Sequence, residues 1–467
     1  MQTIRQRLGI PWLTLASLTL INGQAQSSDA LIDKLVDKGI LTVKEAKDLK
    51  EEADKGFTSG NQVKTGLPDW VSNLRVGGDF RGRFENFSSD DPRWSDRQRF
   101  RYRIRPGIFA TLKDNFELGF RLTSSEPTGN FGGDPISGNT TFQDNASKKF
   151  VYIDLAYAKW TALNNALWSG VLTAGKMENP FVYSEMIFDA DYTPEGFAQQ
   201  FSLKLAEAHA LKLNVGEFVL DEISQSGGGL RASRDPFMFG AQVRLESVWN
   251  NKITTSVGLG ALLITSEEGL SETPAGANIR VADSSGTTQT LPGSAASSTV
   301  PNLNAGNTRN AAGMLAHSFN PWTADAAVTY TLESFPTYSA AFPIRLGVEY
   351  LNNPAADTQN DAYAIGITFG KSGKKGLWEI SYRWKHLEAD AWYEEVVDSD
   401  FGAIGAGNGR YFAGTNVEGH ILKASYSPFD SLTLGVSYFF LAEQISGVPK
   451  GFDESIGRLQ VDAIWKF

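Results

Sequence analysis

The chain has 467 residues and no cysteine, which excludes disulfides and thiol chemistry. Lys and Arg number 43 against 53 Asp and Glu, a net charge of −10 that speaks against a nucleic-acid partner. Hydrophobic residues make up 41% of the chain and aromatics 12%, with a mean hydropathy of −0.24. A helical membrane protein needs spans of about 20 apolar residues and would not have this composition.

Taken in order, the first segment is short and apolar, Leu8 to Ile21, behind Arg5 and Arg7. Gly23-Gln24-Ala25 offers small residues where a signal peptidase reads, so residues 1–25 are expected to be a cleaved export signal. Its removal takes the net charge from −10 to −12, a hint of mild cation preference. Residues 26–69 are expected to be a short periplasmic helical segment and linker. Leu31, Leu35, Leu41, Val43, Ala46 and Leu49 follow a rough helical stripe, and Thr42 with Glu45 forms a capping box.

From residue 70 to 467 the chain alternates with period two. The expected strands are Leu74–Phe87, Phe100–Lys113, Phe116–Ser125, Phe150–Thr161, Trp168–Glu178, Glu195–Leu205, Ala210–Glu222 and Pro236–Trp249. They continue as Lys252–Thr265, Trp322–Ser334, Phe342–Asn352, Ala362–Lys371, Leu377–Glu388, Asn416–Ser427, Leu432–Glu443 and Ser455–Phe467. Turns such as Asp114-Asn115 and Asn250-Asn251 are short, and the alternate connections, such as Ser266–Pro321, are mostly long. Sixteen strands with short turns on one side and long loops on the other predict an all-β, antiparallel transmembrane β-barrel preceded by the helical segment. Trp160, Trp168, Trp249, Trp378 and Trp465 lie near the short turns or the C-terminus, where a membrane-interface belt is expected. The last strand places Leu459, Val461, Ala463, Trp465 and Phe467 on one side, and Trp465 and Phe467 are expected to act as an outer-membrane assembly signal.

The second strand carries Arg97, Arg99, Arg101, Arg103 and Arg105 at alternate positions, with Phe100, Tyr102 and Ile104 on the other face. An arginine at mid-depth on a lipid face costs about 2–4 kcal/mol, so the ladder must face inward. Arg81 and Arg83 of the first strand join it. The loop Asn179–Gly196 holds Glu185, Asp189, Asp191 and Glu195 beside Phe181, Tyr183, Met186, Ile187 and Phe188. Such a loop gains from folding into the barrel, where its apolar residues find walls and its carboxylates approach the arginines. Arg81, Arg83, Arg99, Arg101, Arg103, Arg105, Glu185, Asp189, Asp191 and Glu195 are therefore the expected pore-lining set. The ladder has a second reading as salt-bridge glue in a polar interior. Ser266–Pro321 and Ala389–Thr415 read as extracellular loops.

These motifs resemble the putative porin family of Gram-negative outer membranes. The likeness rests on the segment Leu31–Leu41, on Arg75-Val-Gly-Gly-Asp-Phe-Arg-Gly-Arg-Phe-Glu85, on Gly175-Lys-Met-Glu-Asn-Pro-Phe181 and on Phe188–Gly196. It implies a trimeric barrel in the outer membrane, among lipid and lipopolysaccharide, whose loop after the fifth strand narrows the pore. The function expected is a passive diffusion channel for small hydrophilic solutes and ions, with no cofactor, no metal and no enzymatic activity. Two alternatives belong to other classes: an adhesion or binding barrel that uses its long loops, and a barrel hydrolase. The hydrolase lacks a Gly-x-Ser-x-Gly elbow. His386 and His420, near strand ends, are the histidines placed to pair with loop carboxylates in that reading, but nothing marks a nucleophile.

Overall fold

The structure, a computed structural model, describes residues 67–90, 96–126, 136–222, 235–267, 270, 279–282, 288–291, 304–310, 315–403, 413–443, 445 and 455–467. The expected export signal and helical segment lie outside these residues, apart from 67–69, which lead into the first strand.

The wall strands are β1 (Val71–Ser89), β2 (Arg97–Leu112), β3 (Phe116–Ser125), β4 (Phe150–Asn164), β5 (Trp168–Lys176), β6 (Glu195–Ala206), β7 (His209–Val219) and β8 (Phe237–Val248). They continue as β9 (Ile253–Thr265), β10 (Trp322–Leu332), β11 (Phe342–Asn352), β12 (Asp361–Gly370), β13 (Trp378–Leu387), β14 (Val417–Phe429), β15 (Leu432–Glu443) and β16 (Ile456–Lys466). Each pairs antiparallel with the next, and β16 pairs back onto β1 from Asp79↔Lys466 to Ser89↔Ile456. Among the described residues the wall is thus a closed barrel of sixteen strands, and its ends differ from the expected ones by at most three residues. Closure leaves no strand without a neighbour on either side.

The period-two pattern sets which residues face in. On β2, Arg99, Arg101 and Arg103 are 1–5% exposed, while Phe100, Ile104 and Ile108 between and beyond them are 39–57% exposed. The outer surface continues as apolar side chains around the wall, among them Leu118, Leu213, Val243, Leu259, Leu346 and Leu422. A band of this kind needs hydrocarbon rather than water against it. Trp160, Trp168, Trp249 and Trp465 are exposed near the short-turn rim, whereas Trp378 packs against Phe335, Tyr338 and Phe342.

The wall departs from a simple hairpin array once. β2 and β3 pair only over Gly107–Thr111 and Glu117–Arg121. Beyond that they part, and Thr140–Thr141 pairs with Tyr102 and Arg101 of β2 in the gap. Ser124 Oγ accepts from Ile104 N and donates to Gly138 O across the same gap. The connection 126–149 is therefore partly a wall element, not only a surface loop.

The apolar core lies inside the barrel. It joins Met177, Phe181, Met186, Ile187 and Phe188 of the loop 177–194 to Phe218, Met238, Leu262 and Leu351 of the wall. Ala391, Trp392, Tyr393, Val396 and Val397 of the loop 388–416 complete it. The sequence reading placed that second loop outside. It folds inward because Trp392 and Tyr393 are large apolar surfaces that find the first loop as a partner: Phe188 meets Trp392 edge-on at 6.3 Å, and Trp392 Nε1 donates to Ile187 O at 3.0 Å. Residues 304–310 of the long connection 266–321 are anchored as well. Asn307 Nδ2 donates to Ala389 O and Trp392 O at 2.6 and 2.8 Å, and Ala305 bridges Gly414.

Candidate functional site

The loop 177–194 crosses the interior and is held at both sides. On the β8–β11 side, Val182 N donates to Gln242, Tyr183 OH lies 3.0 Å from Thr323 Oγ1, and Ser184 Oγ donates to Glu349. Glu185 faces Arg383 Nε at 3.4 Å. On the β1–β2 side, Asp191 accepts from Arg103 at 2.7 Å and Arg105 at 3.2 Å, with Arg81 at 3.9 Å. Burial alone would raise these two carboxyls. Nearby cations outweigh it: Arg383, Lys423 and Lys385 hold Glu185 down near 2, and Arg103, Arg81 and Arg105 hold Asp191 well below the usual carboxylate range. Both loop acids are thus ionised at neutral pH and tie the loop to two separate parts of the wall, β13 and β1–β2.

Asp189 has a different task. It is buried, and its Oδ2 accepts from Ser399 N and Oγ at 3.2 Å, so it joins the two inward loops. Glu195 stands apart at the start of β6, 65% exposed and paired with Lys176 at 3.1 Å. Of the four acids in the expected set, the structure brings Glu185, Asp189 and Asp191 inside and leaves Glu195 at the rim.

The arginine ladder divides in two. Its lower part, Arg103 and Arg105, faces Asp79 and Asp191. Its upper part is packed. Glu85, fully buried, accepts from Arg99 and from Arg458 at 2.7 Å, with Arg83 at 3.5 Å and Arg101 at 3.8 Å. Arg83 also makes two bonds to Asp462 at 2.7 and 2.8 Å. Arg81 and Arg101 donate to Asn139, and Arg103 to Ser137 O, so the segment inserted between β2 and β3 caps the ladder from inside. Arg101 is 1% exposed; a solute cannot touch it without moving the loop.

Two polar cavities flank the crossing loop. One, of about 370 Å³, is lined by Arg105, Arg121, Glu178, Asp189, Asp191 and Tyr192 among others. The other, of about 220 Å³, is lined by Tyr183, Ser184, Arg244, Arg345, Glu349 and Arg383 among others. Arg345 also lines a 540 Å³ vestibule at the short-turn end, beside Lys204, Thr254, Ser256 and Thr329. Sequence reasoning missed Arg244, Arg345, Arg383, Lys385 and Asp398. None belongs to a run of alternating like charges as long as the one that made β2 conspicuous; Arg383 and Lys385 share β13 but are only two.

The four histidines take no part in the two cavities. His386 and His420 lie on the outer face, bonded to Glu418 and Tyr382 at 2.8 Å each. Among the described residues no group of three or more His, Asp or Glu is arranged to hold a metal ion.

A family described as putative porin matches residues 91–308 and 324–467. No curated protein matches the sequence. Similar solved structures include OprB of Pseudomonas putida at high pH, with 10% identity, a TM-score of 0.47 and cover of 84% of this chain and 94% of that one. They also include OmpF of Salmonella typhi in complex with daunomycin, with 8% identity, a TM-score of 0.45 and cover of 86% and 99%. OmpT of Vibrio cholerae, expressed in the outer membrane, has 10% identity, a TM-score of 0.41 and cover of 86% and 99%.

Proposed function

This chain belongs to the putative porin family, and from that premise we propose that it is a passive diffusion channel of a bacterial outer membrane for small hydrophilic solutes and ions. The observation that carries the reading is the crossing loop, held by Ser184 on Glu349 of β11 and by Asp191 on Arg103 of β2, with a polar cavity on either side. A barrel of this strand number has an interior wider than its own wall side chains fill. The loop narrows that space, and its ionised acids face guanidinium groups across it. Opposed charges across a low-dielectric passage orient dipolar solutes and disfavour apolar ones.

Residues 1–25 would direct export and be removed. Residues 26–69 would stand in the periplasm, and 70–467 would form the wall. Trp465 and Phe467 would present the outward aromatic end that assembly machinery reads. Main-chain bonds between Phe467 and Gly78, at 2.8 and 3.1 Å, already hold that end against β1. Gly78 permits this approach, since a Cβ there would lie 3.0 Å from the Phe467 ring and 2.1 Å from Arg105 O. The assembled form would be a homotrimer among lipid and lipopolysaccharide.

Single-channel recording of the purified, folded protein in planar bilayers tests the reading. Discrete conductance steps are expected. Folded protein that inserts and yet conducts nothing would instead favour the adhesion barrel.

A further inference from the structure

The charges that first draw attention, on β1 and β2, already have partners on one another, on β16, on the crossing loop and on the segment inserted between β2 and β3. Those that a solute meets in the open part of the interior are different, and Arg345 stands out among them.

Arg345 is exposed, and it makes no hydrogen bond or ion pair among the described residues. Of the carboxylates that line the two spaces, Glu207 is exposed on the β6–β7 turn, and the other three have partners elsewhere. Asp325 takes Arg244 at 2.7 Å, Glu246 takes Lys212 at 2.6 Å, and Glu349 takes Ser184 with Arg383 at 4.0 Å. The wall around Arg345 is low and hydroxylated. Its cross-strand neighbours are Thr329 and Thr368, and Gly347 beside it leaves the guanidinium room, its missing Cβ lying 3.9 Å from Nη1. The side chain borders both the 540 Å³ vestibule and the 220 Å³ cavity under Tyr183 and Ser184, so a solute moving between them passes it.

We propose that Arg345 is a binding step for small organic oxyanions on the short-turn side of the crossing loop, and that it, rather than the arginine ladder, sets the charge preference of the passage. A guanidinium offers a planar fork that matches a carboxylate or phosphate head with two hydrogen bonds. Thr254, Ser256 and Thr329 supply hydroxyls within the same vestibule. The one lining carboxylate there without a partner among the described residues, Glu207, sits on the exposed β6–β7 turn, and Lys204 of the same lining adds a second positive charge. The inference deepens the channel reading and rests on it. It also reverses the mild cation preference suggested by net charge, because net charge counts residues that are already paired or lie on outer loops.

Two measurements test it independently. In the first, the folded protein in detergent is treated with phenylglyoxal, and the modified arginines are located by mass spectrometry, with no need for conduction. Arg345 should react early and Arg101 late. Succinate should slow the Arg345 reaction several-fold more than potassium chloride of equal ionic strength, while exposed Arg75 gains no such protection. Equal protection by both salts would mean charge screening only and would overturn the proposal. In the second, reversal potential is recorded under a potassium chloride gradient. Arg345→Gln should lower the anion-to-cation permeability ratio by about threefold, the effect of one unit charge close to a passing ion. Arg345→Lys should restore most of it. An Arg345→Gln channel that conducts with unchanged reversal potential would sink the selectivity role. A wild-type protein that never conducts would instead sink the channel reading and leave the phenylglyoxal result to decide the site.

Discussion

Glu85→Gln is the substitution from which the most can be learned. Its carboxylate is fully buried and faces four guanidinium groups, with Arg99 and Arg458 in direct contact and Arg83 and Arg101 at 3.5 and 3.8 Å. Arg458 in turn donates to Ser399 O and Asp400 O at 3.3 Å, so the hub joins the β16–β1–β2 seam to the second inward loop. Each contact is worth several kcal/mol of gross attraction at an effective dielectric near 20, most of it offset by desolvation. Breaking a buried pair from one side costs about 3–5 kcal/mol, because the partner charge stays buried and uncompensated. Glutamine keeps the shape and removes the charge, so the variant isolates that cost. Urea unfolding in lipid vesicles, with heat-modifiable gel mobility as a second readout, should show the loss. The same substitution in an Arg458→Met background should cost clearly less, since one stranded cation is gone. If Glu85→Gln unfolds within about 0.5 kcal/mol of wild type, the size of an ordinary surface change, the arginines have water to turn to and the hub is not a buried network.

Four further outcomes follow from the same geometry. Asp191→Asn should leave Arg103 and Arg105 with Asp79 as their one remaining carboxylate and move the reversal potential toward anions, whereas Arg101→Gln should leave it unchanged and lower thermal stability. In this cysteine-free chain, single cysteines at positions 105 and 345 should react quickly with a small charged thiol reagent, position 101 slowly, and the outward positions 100 and 104 not at all; equal labelling of all five would mean a wrong register. Burial, followed by neighbouring Asp400, pushes the Asp398 carboxyl up to about 6 from 3.8, so its protonated form favours the folded loop. That stabilisation is complete below about pH 4 and lost as pH rises through 6; protease nicking in 388–416 should therefore increase between pH 5 and 7.5, and Asp398→Asn should flatten the trend. Deleting Phe467 should reduce the yield of heat-modifiable barrel in the outer membrane, and an unchanged yield would remove its role as an assembly signal.

The wall was legible in the sequence because a strand between lipid and a polar interior must alternate, and alternation is a local property of period two. Arg99, Arg101 and Arg103 could be assigned to the inside from β2 alone, since the lipid face excludes them. The inward course of 177–194 was legible for a similar reason: Phe181, Met186, Ile187 and Phe188 have no stable place in water. Pairing across the barrel was not legible. Which arginine meets Glu85, Asp191 or Asn139 depends on residues as far apart as 85 and 458, brought together only when β16 closes on β1. The loop 388–416 carried a weaker version of the same apolar signal in Trp392, Tyr393 and Phe401, but its partner surface exists only after the first loop has folded. Tertiary structure likewise decided that the conspicuous ladder is neutralised while the solitary Arg345 is left open. Charge can be read from sequence, but whether a charge is free depends on what lies across the lumen from it.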